Sequence, residues 1–499
     1  MKKRLYLVIA TLMLASIAMG QTLHVCMGSV TYLFPADKTG EMSYADGRTL
    51  SVMGKTFDLS TISTMTVDDA TVKDNAVSIT FSGTTATVVI SGNIAPYVTA
   101  TVNGAHVSIE QTNTDAVDGD EITYTLSGET ANGSFSLAGS YKCSIALDGL
   151  TLTNPSGAAI SITNGKRIQI SAKKNTVNTL TDGSNGTQTG CIYSKGQIQL
   201  QGNGTLNVAG NTKHAIKSGD YVRVKNLTLN ITKAVKDGIS CNEYFLMESG
   251  MVTISGVGDE GIQCELDGTT STGQTTDHED EDSGNIYIEG GTLQVTSTKG
   301  EGIESKGELT ISGGNVCVNA KDDAINAASH LTITDGIVYA CSTGNDGIDA
   351  NGNCYIKGGT IFAIGARQPE VAIDANTERN FKLYVSGGTI IAIGGLERGS
   401  SLTQSCYQAS SWSSNRWYAL TVGSQTIAFK TPSSGGSGLV VSGASQPTLK
   451  QGITVSDGTQ IFGSNGYADA TVTGGSNVTL SAYSNQGGGP GGGGGGPWW

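Results

Sequence analysis

The feature that most constrains the fold is a motif that recurs about every 23 residues. It contains an isoleucine that usually follows an acid and a small residue. The copies are Ile216 in KHAIK, Ile239 in KDGIS, Ile262 in DEGIQ, Ile303 in GEGIE, Ile325 in DDAIN, Ile348 in NDGID and Ile373 in VAIDA, at intervals of 23, 23, 41, 22, 23 and 25 residues. Because this period is too long for a coiled-coil heptad, it indicates a solenoid in which each repeat forms one coil.

Each period also contains short runs of alternating apolar residues. Leu309 and Ile311 form one such pair, and Val316 and Val318 form another after a glycine-rich turn. A spacing of two is typical of β-strands, and no stretch in the repeat has the helical period. The sequence therefore predicts an all-β fold, in which each coil of a parallel β-helix contributes three strands and three turns.

Two intervals are longer than the period and indicate insertions at turns. The segment LDGTTSTGQTTDHEDEDSG lies in the 41-residue interval, and residues 178–189 account for a 32-residue interval between Ile160 and Ile192.

The flanking segments predict the domain organisation. Residues 1–20, MKKRLYLVIATLMLASIAMG, have the basic start and apolar run of a signal peptide. The protein is therefore expected to be secreted, either to the cell surface or exterior or to a periplasm. Residues 21–70 are expected to form a leader, 71–142 a β-rich cap with the first coils, 143–395 the parallel β-helix, 396–484 a C-terminal β segment and 485–499 a disordered glycine-rich tail.

The net charge limits the partners. With 43 acidic and 30 basic residues the chain carries a charge of -13, which repels nucleic acid and anionic membranes unless a bound cation reverses the local sign. No segment after the signal peptide is apolar enough to cross a bilayer. A monomer without a transmembrane segment and without a nucleic-acid partner is expected.

The repeat stacks acids on neighbouring coils about 4.8 Å apart. Unit charges at this distance repel by roughly 1 kcal/mol in water and about 3 kcal/mol at an effective dielectric constant near 20. Protonation would relieve the repulsion, and so would a hard cation such as Ca²⁺, which binds carboxylate oxygens. Outside the cell we expect Ca²⁺, with ligands from Asp237, Asp259, Glu260, Glu301, Glu304, Asp322, Asp323, Asp346 and Asp349.

A simpler role is open for each acid, because an aspartate before glycine commonly hydrogen-bonds the backbone of its own turn. The inserted acids Asp277, Glu279, Asp280, Glu281 and Asp282 could bind Ca²⁺ too, although such a run is usually a solvated loop.

Residues 130–400 resemble the secreted, calcium-binding family of right-handed parallel β-helix carbohydrate-binding domains, whose fold is pectate-lyase-like. The resemblance rests on IALDGLTLTNPSGAAISI, NTVNTLTDG, GCIYSKGQIQLQGNGTLNV and the series from KDGIS to NDGID. It implies right-handed coils, Ca²⁺ at the stacked acids, and binding of acidic polysaccharide such as polygalacturonate and of cellulose. The histidine at position 214 and the valine at 371 depart from the acidic pattern.

Three functions are consistent with this pattern. The first is a non-catalytic protein in which Ca²⁺ bridges the acids to uronate carboxylates. The second is a polysaccharide lyase, with Lys299 or Lys321 as the base, although both lysines could simply neutralise the acids. The third is an adhesin or spacer stiffened by Ca²⁺.

Arginines and tryptophans near the end of the repeat are further candidates for sugar binding. Arg367 and Arg379 could bind a carboxylate through two hydrogen bonds, although surface ion pairs are the commoner role. Trp412 and Trp417 could stack on sugar rings, although burial against the last coil is more usual.

Overall fold

The computed structural model describes residues 20–266 and 283–484, which consist of strands, turns and three short 3₁₀ helices. Contacts divide the chain into two compact units, Met1–Cys241 and Asn242–Trp499. No α-helix occurs in the described ranges, so the all-β prediction is confirmed. The described part of the chain also has no helix that is long and apolar enough to span a membrane. The predicted signal peptide up to residue 19, most of the acidic insertion (267–282) and the tail (485–499) lie outside the described residues.

The described part of the first unit, from residue 20 onwards, contains 23 strands and one 3₁₀ helix, Gly92–Ile94. The strands are β1 Thr22–Met27, β2 Val30–Pro35, β3 Ser43–Ala45, β4 Thr49–Val52, β5 Lys55–Asp58, β6 Thr64–Asp68, β7 Ala76–Ser82, β8 Thr85–Ser91, β9 Val98–Asn103, β10 Ala105–Gln111, β11 Ile122–Thr130, β12 Gly133–Gly139, β13 Cys143–Asn154, β14 Ile160–Ile162, β15 Ile168–Ala172, β16 Val177–Asp182, β17 Gly190–Ser194, β18 Ile198–Gly202, β19 Thr205–Ala209, β20 His214–Ser218, β21 Val222–Lys225, β22 Leu227–Lys233 and β23 Ile239–Cys241.

Pairing in the first unit changes from mixed to parallel along the chain. The N-terminal strands include antiparallel pairs such as β1 with β2, β7 with β8, and β9 with β10. From β15 onwards each strand pairs in parallel with the strand three places later, as in β15 with β18, β16 with β19, and β17 with β20. Three strands per repeat therefore build three parallel ladders, and the sheets of the unit as a whole are mixed.

Within residues 242–266 and 283–484, the second unit contains 24 strands and the 3₁₀ helices Thr377–Arg379 and Phe462–Ser464. The strands are β24 Tyr244–Met247, β25 Gly250–Val257, β26 Ile262–Cys264, β27 Asn285–Ile288, β28 Thr292–Ser297, β29 Ile303–Ser305, β30 Leu309–Ile311, β31 Asn315–Ala320, β32 Ile325–Ala327, β33 Leu331–Ile333, β34 Ile337–Ser342, β35 Ile348–Ala350, β36 Cys354–Ile356, β37 Thr360–Ile364, β38 Leu383–Val385, β39 Thr389–Ile393, β40 Ser401–Leu402, β41 Cys406–Ala409, β42 Trp417–Val422, β43 Gln425–Lys430, β44 Leu439–Ser442, β45 Thr448–Ile461, β46 Gly466–Val478 and β47 Leu480–Ala482.

The same three-strand pairing runs through the second unit and ends at a small barrel. Parallel pairs join β30 to β33, β31 to β34 and β32 to β35. Parallel pairing continues to β39, but in the last repeat a single bridge at Ile373 replaces the third strand. The chain then forms the closed barrel β42-β43-β46-β45. Phe362 on β37 is fully buried with Tyr418 and Phe429 of the barrel, so the barrel packs on the outer face of the last parallel strands.

The repeated isoleucines form part of the core. Ile262, Ile303, Ile325, Ile348 and Ile373 are all fully buried. Burying one such side chain contributes about 1.5 to 3 kcal/mol, which explains why the motif keeps an isoleucine while its flanking residues vary. The right-handed parallel β-helix itself stays a prediction.

One predicted insertion is wrong in detail. Residues 178–189 do not form one inserted loop, because residues 178–182 belong to β16, which pairs with β13 and β19. Asn178 is fully buried, and its amide donates a hydrogen bond to the carbonyl of Thr205. The extra residues are spread over the turns between β14 and β17, where added length does not disturb the strand register.

Candidate metal site and neighbouring clefts

In the second unit the acids of the repeat occupy equivalent positions on neighbouring strands. Ile262, Ile303, Ile325 and Ile348 pair in register through β26, β29, β32 and β35, and bridges continue the series to Ile373 and Leu396. Residues two places before the isoleucine therefore follow one another at about the strand spacing of 4.8 Å. We call this series the acid ladder: Glu260, Glu301, Asp323 and Asp346.

A tight group of carboxylates lies at the end of the acid ladder. One carboxylate oxygen from each of Asp346, Asp349 and Asp374 lies within 4.8 Å of the other two, and we call these three residues the terminal cluster. Asp346 is buried and the other two are half-buried. Two oxygens on opposite sides of a Ca²⁺ ion, each about 2.3 to 2.6 Å from it, would be separated by a similar distance. The donor set and its spacing therefore fit Ca²⁺.

Burial and mutual repulsion disfavour the charged forms in this region. Burial, followed by the charges of Asp349 and Asp346, raises the pKa of Asp323 to about 8. Burial, with Asp349 and Glu370 nearby, raises the pKa of Asp346 to about 7. Burial is also the main cause that raises the pKa of Asp349 and Asp374. A divalent cation would stabilise the ionised forms that this environment destabilises.

An asparagine separates two of these carboxylates. The side-chain amide of Asn326 donates to Oδ2 of Asp323 at 3.0 Å and to Oδ2 of Asp349 at 3.2 Å. Asn326 occupies the same position on β32 as Asp349 does on β35. The partial positive charge of its amide group reduces the repulsion between Asp323 and Asp349 without a metal ion. The carboxylates that most require a cation are therefore those of the terminal cluster.

The adjacent acids Asp259 and Glu260 lie next to Gly300, which has no side chain. A Cβ atom added at Gly300 would lie 2.9 Å from Oδ1 of Asp259 and 3.2 Å from Oε1 of Glu260. Glycine at position 300 therefore leaves room for these two carboxylates. Burial, followed by the charges of Glu304 and Asp322, raises the pKa of the neighbouring Glu301. These acids form a second oxygen-rich region of the ladder.

Three further predicted ligands also have protein partners. Glu304 forms an ion pair with Lys306 and accepts a 2.9 Å hydrogen bond from Gln263. Asp322 accepts a 2.8 Å hydrogen bond from the amide of Asn345.

The third such residue is Asp237, in the first unit. Its Oδ2 lies 3.0 Å from Nδ1 of the buried His214, and its Oδ1 lies 3.5 Å from Nζ of Lys236. Burial lowers the pKa of His214, and the interaction with Asp237 opposes that effect. Protein groups therefore already compensate part of the charge on Glu304, Asp322 and Asp237.

The two lysines predicted as candidate bases and the two arginines predicted to bind sugar lie in different environments. Lys299 and Lys321 are exposed. The ammonium of Lys321 lies over Gly344, where an added Cβ atom would be 2.5 Å from Nζ. Arg379 is exposed at the end of the 3₁₀ helix Thr377–Arg379, whereas Arg367 lines a cleft beside the last coils. Arg379 does not line that cleft.

Glu397 lies beside the terminal cluster, although the isoleucine motif does not predict it. Leu396 replaces the isoleucine exactly where the next repeat would place it, 23 residues after Ile373, and the two residues form a parallel bridge. Glu397 therefore stacks after Asp374, and a hydrogen bond between them contributes to the raised pKa of Asp374. A motif that allows leucine as well as isoleucine at the buried position would predict Glu397.

Two clefts, each of about 470 Å³, lie next to the end of the acid ladder. One contains Glu397 and Arg398 of the last coil. The other contains Arg367 and Trp412. Gln368, Ser437 and Gly438 contribute to both, so the two clefts are adjacent. Trp412 also packs partly against the buried cluster around Phe462, and Trp417 lies 5.7 Å from Tyr467 on the barrel.

Comparisons with known proteins identify a family model, a relative and a solved structure that are similar to this chain. A family model described as "Carbohydrate-binding domain-containing protein" matches residues 103–300 and 273–433. A protein of that description from Acetivibrio thermocellus is 26% identical over 136 residues, which cover 23% of this chain and 48% of the relative. The chain thus spans about half the length of this curated relative. A solved structure of a polysaccharide lyase-like protein from C. thermocellum, a gadolinium derivative, is 22% identical, with a TM-score of 0.41 over 56% of this chain and 96% of that one.

Proposed function

Because the chain belongs to the carbohydrate-binding domain-containing protein family, we propose that it is a secreted, non-catalytic protein that binds acidic polysaccharide through Ca²⁺. In this proposal residues 143–395 form a right-handed parallel β-helix. The terminal cluster and Glu397 hold one ion, and the region of Asp259, Glu260 and Glu301 is a second candidate. The polysaccharide is polygalacturonate-like.

The observation that carries the proposal is the convergence of three carboxylates within 4.8 Å in a partly buried place. Without a cation, such a group is stable only if it keeps protons, as the raised pKa values of Asp346 and Asp374 indicate. When bound, Ca²⁺ supplies positive charge and coordination positions for further oxygens. The chain's own residues fix the carboxylate positions through β35 and the parallel bridge from Ile348 to Ile373.

The bridge also resolves a charge conflict. A chain with a charge of -13 would repel a polyuronate in the absence of cations. An ion that the terminal cluster holds on one side can accept a uronate carboxylate on the other. The adjacent clefts, with Arg398 in one and Arg367 in the other, give the polysaccharide a place next to the ion.

Retention on immobilised polygalacturonate tests this function. We expect the full chain to bind in 1 mM-range Ca²⁺, roughly the extracellular level that weak calcium sites use, and to elute when a chelator is added. Asp349→Asn combined with Asp374→Asn should abolish the calcium-dependent part. Asp335→Asn is the matched control, because Asp335 is exposed at a turn outside the ladder. Retention that is insensitive to both chelator and the double substitution would rule out the calcium bridge.

The same preparation distinguishes the other functions. Release of unsaturated, ultraviolet-absorbing sugar that disappears in Lys321→Ala would identify a lyase. Absence of retention together with a calcium-dependent rise in melting temperature would identify a structural role for Ca²⁺.

A further inference from the structure

The cleft that contains Trp412 has an aromatic wall in a fixed orientation. Nε1 of the Trp412 indole donates a 3.0 Å hydrogen bond to the carbonyl of Gly436, while the side chain stays half-exposed. Fixing the ring before a ligand arrives reduces the entropy lost on binding. An aromatic ring of this kind offers an apolar face on which a sugar ring can stack.

The floor of this cleft depends on glycine. A Cβ atom added at Gly436 would lie 2.5 Å from the carbonyl oxygen of Ala366 and 2.6 Å from the Cα atom of Gly394. The backbone of residues 435–438 can therefore lie close to the last coils and hold the carbonyl that orients Trp412. Close backbone approach therefore shapes this part of the cleft.

Arg367 gives the cleft a charge preference. Its side chain is exposed, lines the cleft, and forms no ion pair with an acid in the described part of the chain. A guanidinium group binds a carboxylate through two parallel hydrogen bonds, which a hydroxyl group cannot reproduce. Gln368 and Ser411 line the same cleft and can exchange hydrogen bonds with sugar hydroxyls.

We propose that this cleft binds one uronic acid residue of the polysaccharide without a metal ion. Trp412 stacks on the sugar ring and Arg367 binds the carboxylate. The inference rests on the proposed binding of acidic polysaccharide, but it does not depend on the calcium site. The volume of about 470 Å³ lies within the range of roughly 300 to 1,000 Å³ that small-ligand sites occupy.

Calorimetric titration of the full chain with trigalacturonate and with cellotriose, each in Ca²⁺ and in EDTA, tests the inference. We expect wild-type protein to retain weaker trigalacturonate binding in EDTA. Arg367→Met should weaken that residual affinity about three- to fivefold, as expected for an exposed charge pair, and should leave cellotriose binding unchanged. Arg379→Met is the matched control, because this exposed arginine lies outside both clefts, and it should behave as wild type.

Trp412→Phe serves as a second probe because it keeps an aromatic ring in the packed cluster; it should weaken binding of trigalacturonate in EDTA with little change in melting temperature. Binding in EDTA that Arg367→Met does not alter overturns the inference. Binding only in Ca²⁺ also overturns it but leaves the proposed function intact. No binding in either buffer overturns both.

Discussion

The backbone N–H of Val371 donates a 2.5 Å hydrogen bond to Oδ1 of Asp346. One coil earlier, the backbone N–H of Asp346 donates in the same way to Oδ1 of Asp323, at 2.8 Å. Each of these carboxylates therefore holds the backbone of the next coil with one oxygen. An aspartate at a turn commonly accepts a hydrogen bond from the backbone of its own turn. Here each aspartate accepts one from the backbone of the next coil instead. Val371 donates the last of these bonds and has no side-chain carboxylate to continue the series.

Substitutions at Asp346 should separate its hydrogen bond from its charge. In chelator at pH 8, Asp346→Asn keeps an oxygen that can accept from Val371 and removes a repelling charge, so its melting temperature should exceed that of wild type. Asp346→Ala removes the acceptor and should lower the free energy of unfolding by about 1 to 3 kcal/mol relative to Asp346→Asn. Thermal unfolding followed by circular dichroism measures both effects. Equal stability of the two variants would show that the bond to Val371 contributes nothing.

Without Ca²⁺, the free energy of unfolding of this protein should fall as the pH rises through the neutral range. This is the opposite of the usual effect of carboxylates whose pKa is lowered by folding. Asp346 and Asp323 lose their protons near pH 4 when unfolded, but keep them to about pH 7 and 8 when folded. Between these values the folded state binds more protons, so the free energy of unfolding should fall as pH rises from 5 to 9. Urea unfolding in chelator at several pH values measures the slope. Ca²⁺ should stabilise more strongly at pH 8 than at pH 5, because protons compete with it. A stability that rises with pH in chelator would contradict the raised pKa values.

The period of the motif was sufficient to predict the strand pairing at the site. Ile325 and Ile348 pair in register as the 23-residue interval requires, and this places Asn326 beside Asp349. The side-chain partners could not be predicted in the same way. The ion pair of Glu304 with Lys306 depends on the course of the following turn, which the apolar pattern does not specify. The period of the motif predicts which acids stack on one another. The group that neutralises each acid depends on the local course of the backbone.

Glu397 should contribute to metal binding although it follows a leucine. Its carboxylate accepts a 2.9 Å hydrogen bond from Thr377 and interacts with Asp374, so it is held beside the terminal cluster. We expect Glu397→Gln to reduce calcium affinity several-fold, because a neutral amide oxygen is a weaker ligand than a carboxylate. Isothermal titration with Ca²⁺ measures the change. Glu308→Gln, at an exposed position outside the ladder, is the control. Unchanged affinity in Glu397→Gln would restrict the site to the three aspartates.

Gly300 tests whether the region of Asp259 and Glu260 binds a second ion. Gly300→Ala would place Cβ 2.9 Å from Oδ1 of Asp259 and 3.1 Å from its carbonyl carbon, so the acid and its backbone must shift. If this region binds Ca²⁺, the substitution should lower the number of ions bound per chain while the terminal cluster keeps its own. Gly165→Ala is the control, because a Cβ atom there meets nothing within 4 Å. Equilibrium dialysis with ⁴⁵Ca²⁺ at saturation counts the ions. A lower melting temperature with an unchanged count would mean that Gly300 serves packing alone and that the metal site is confined to the end of the ladder.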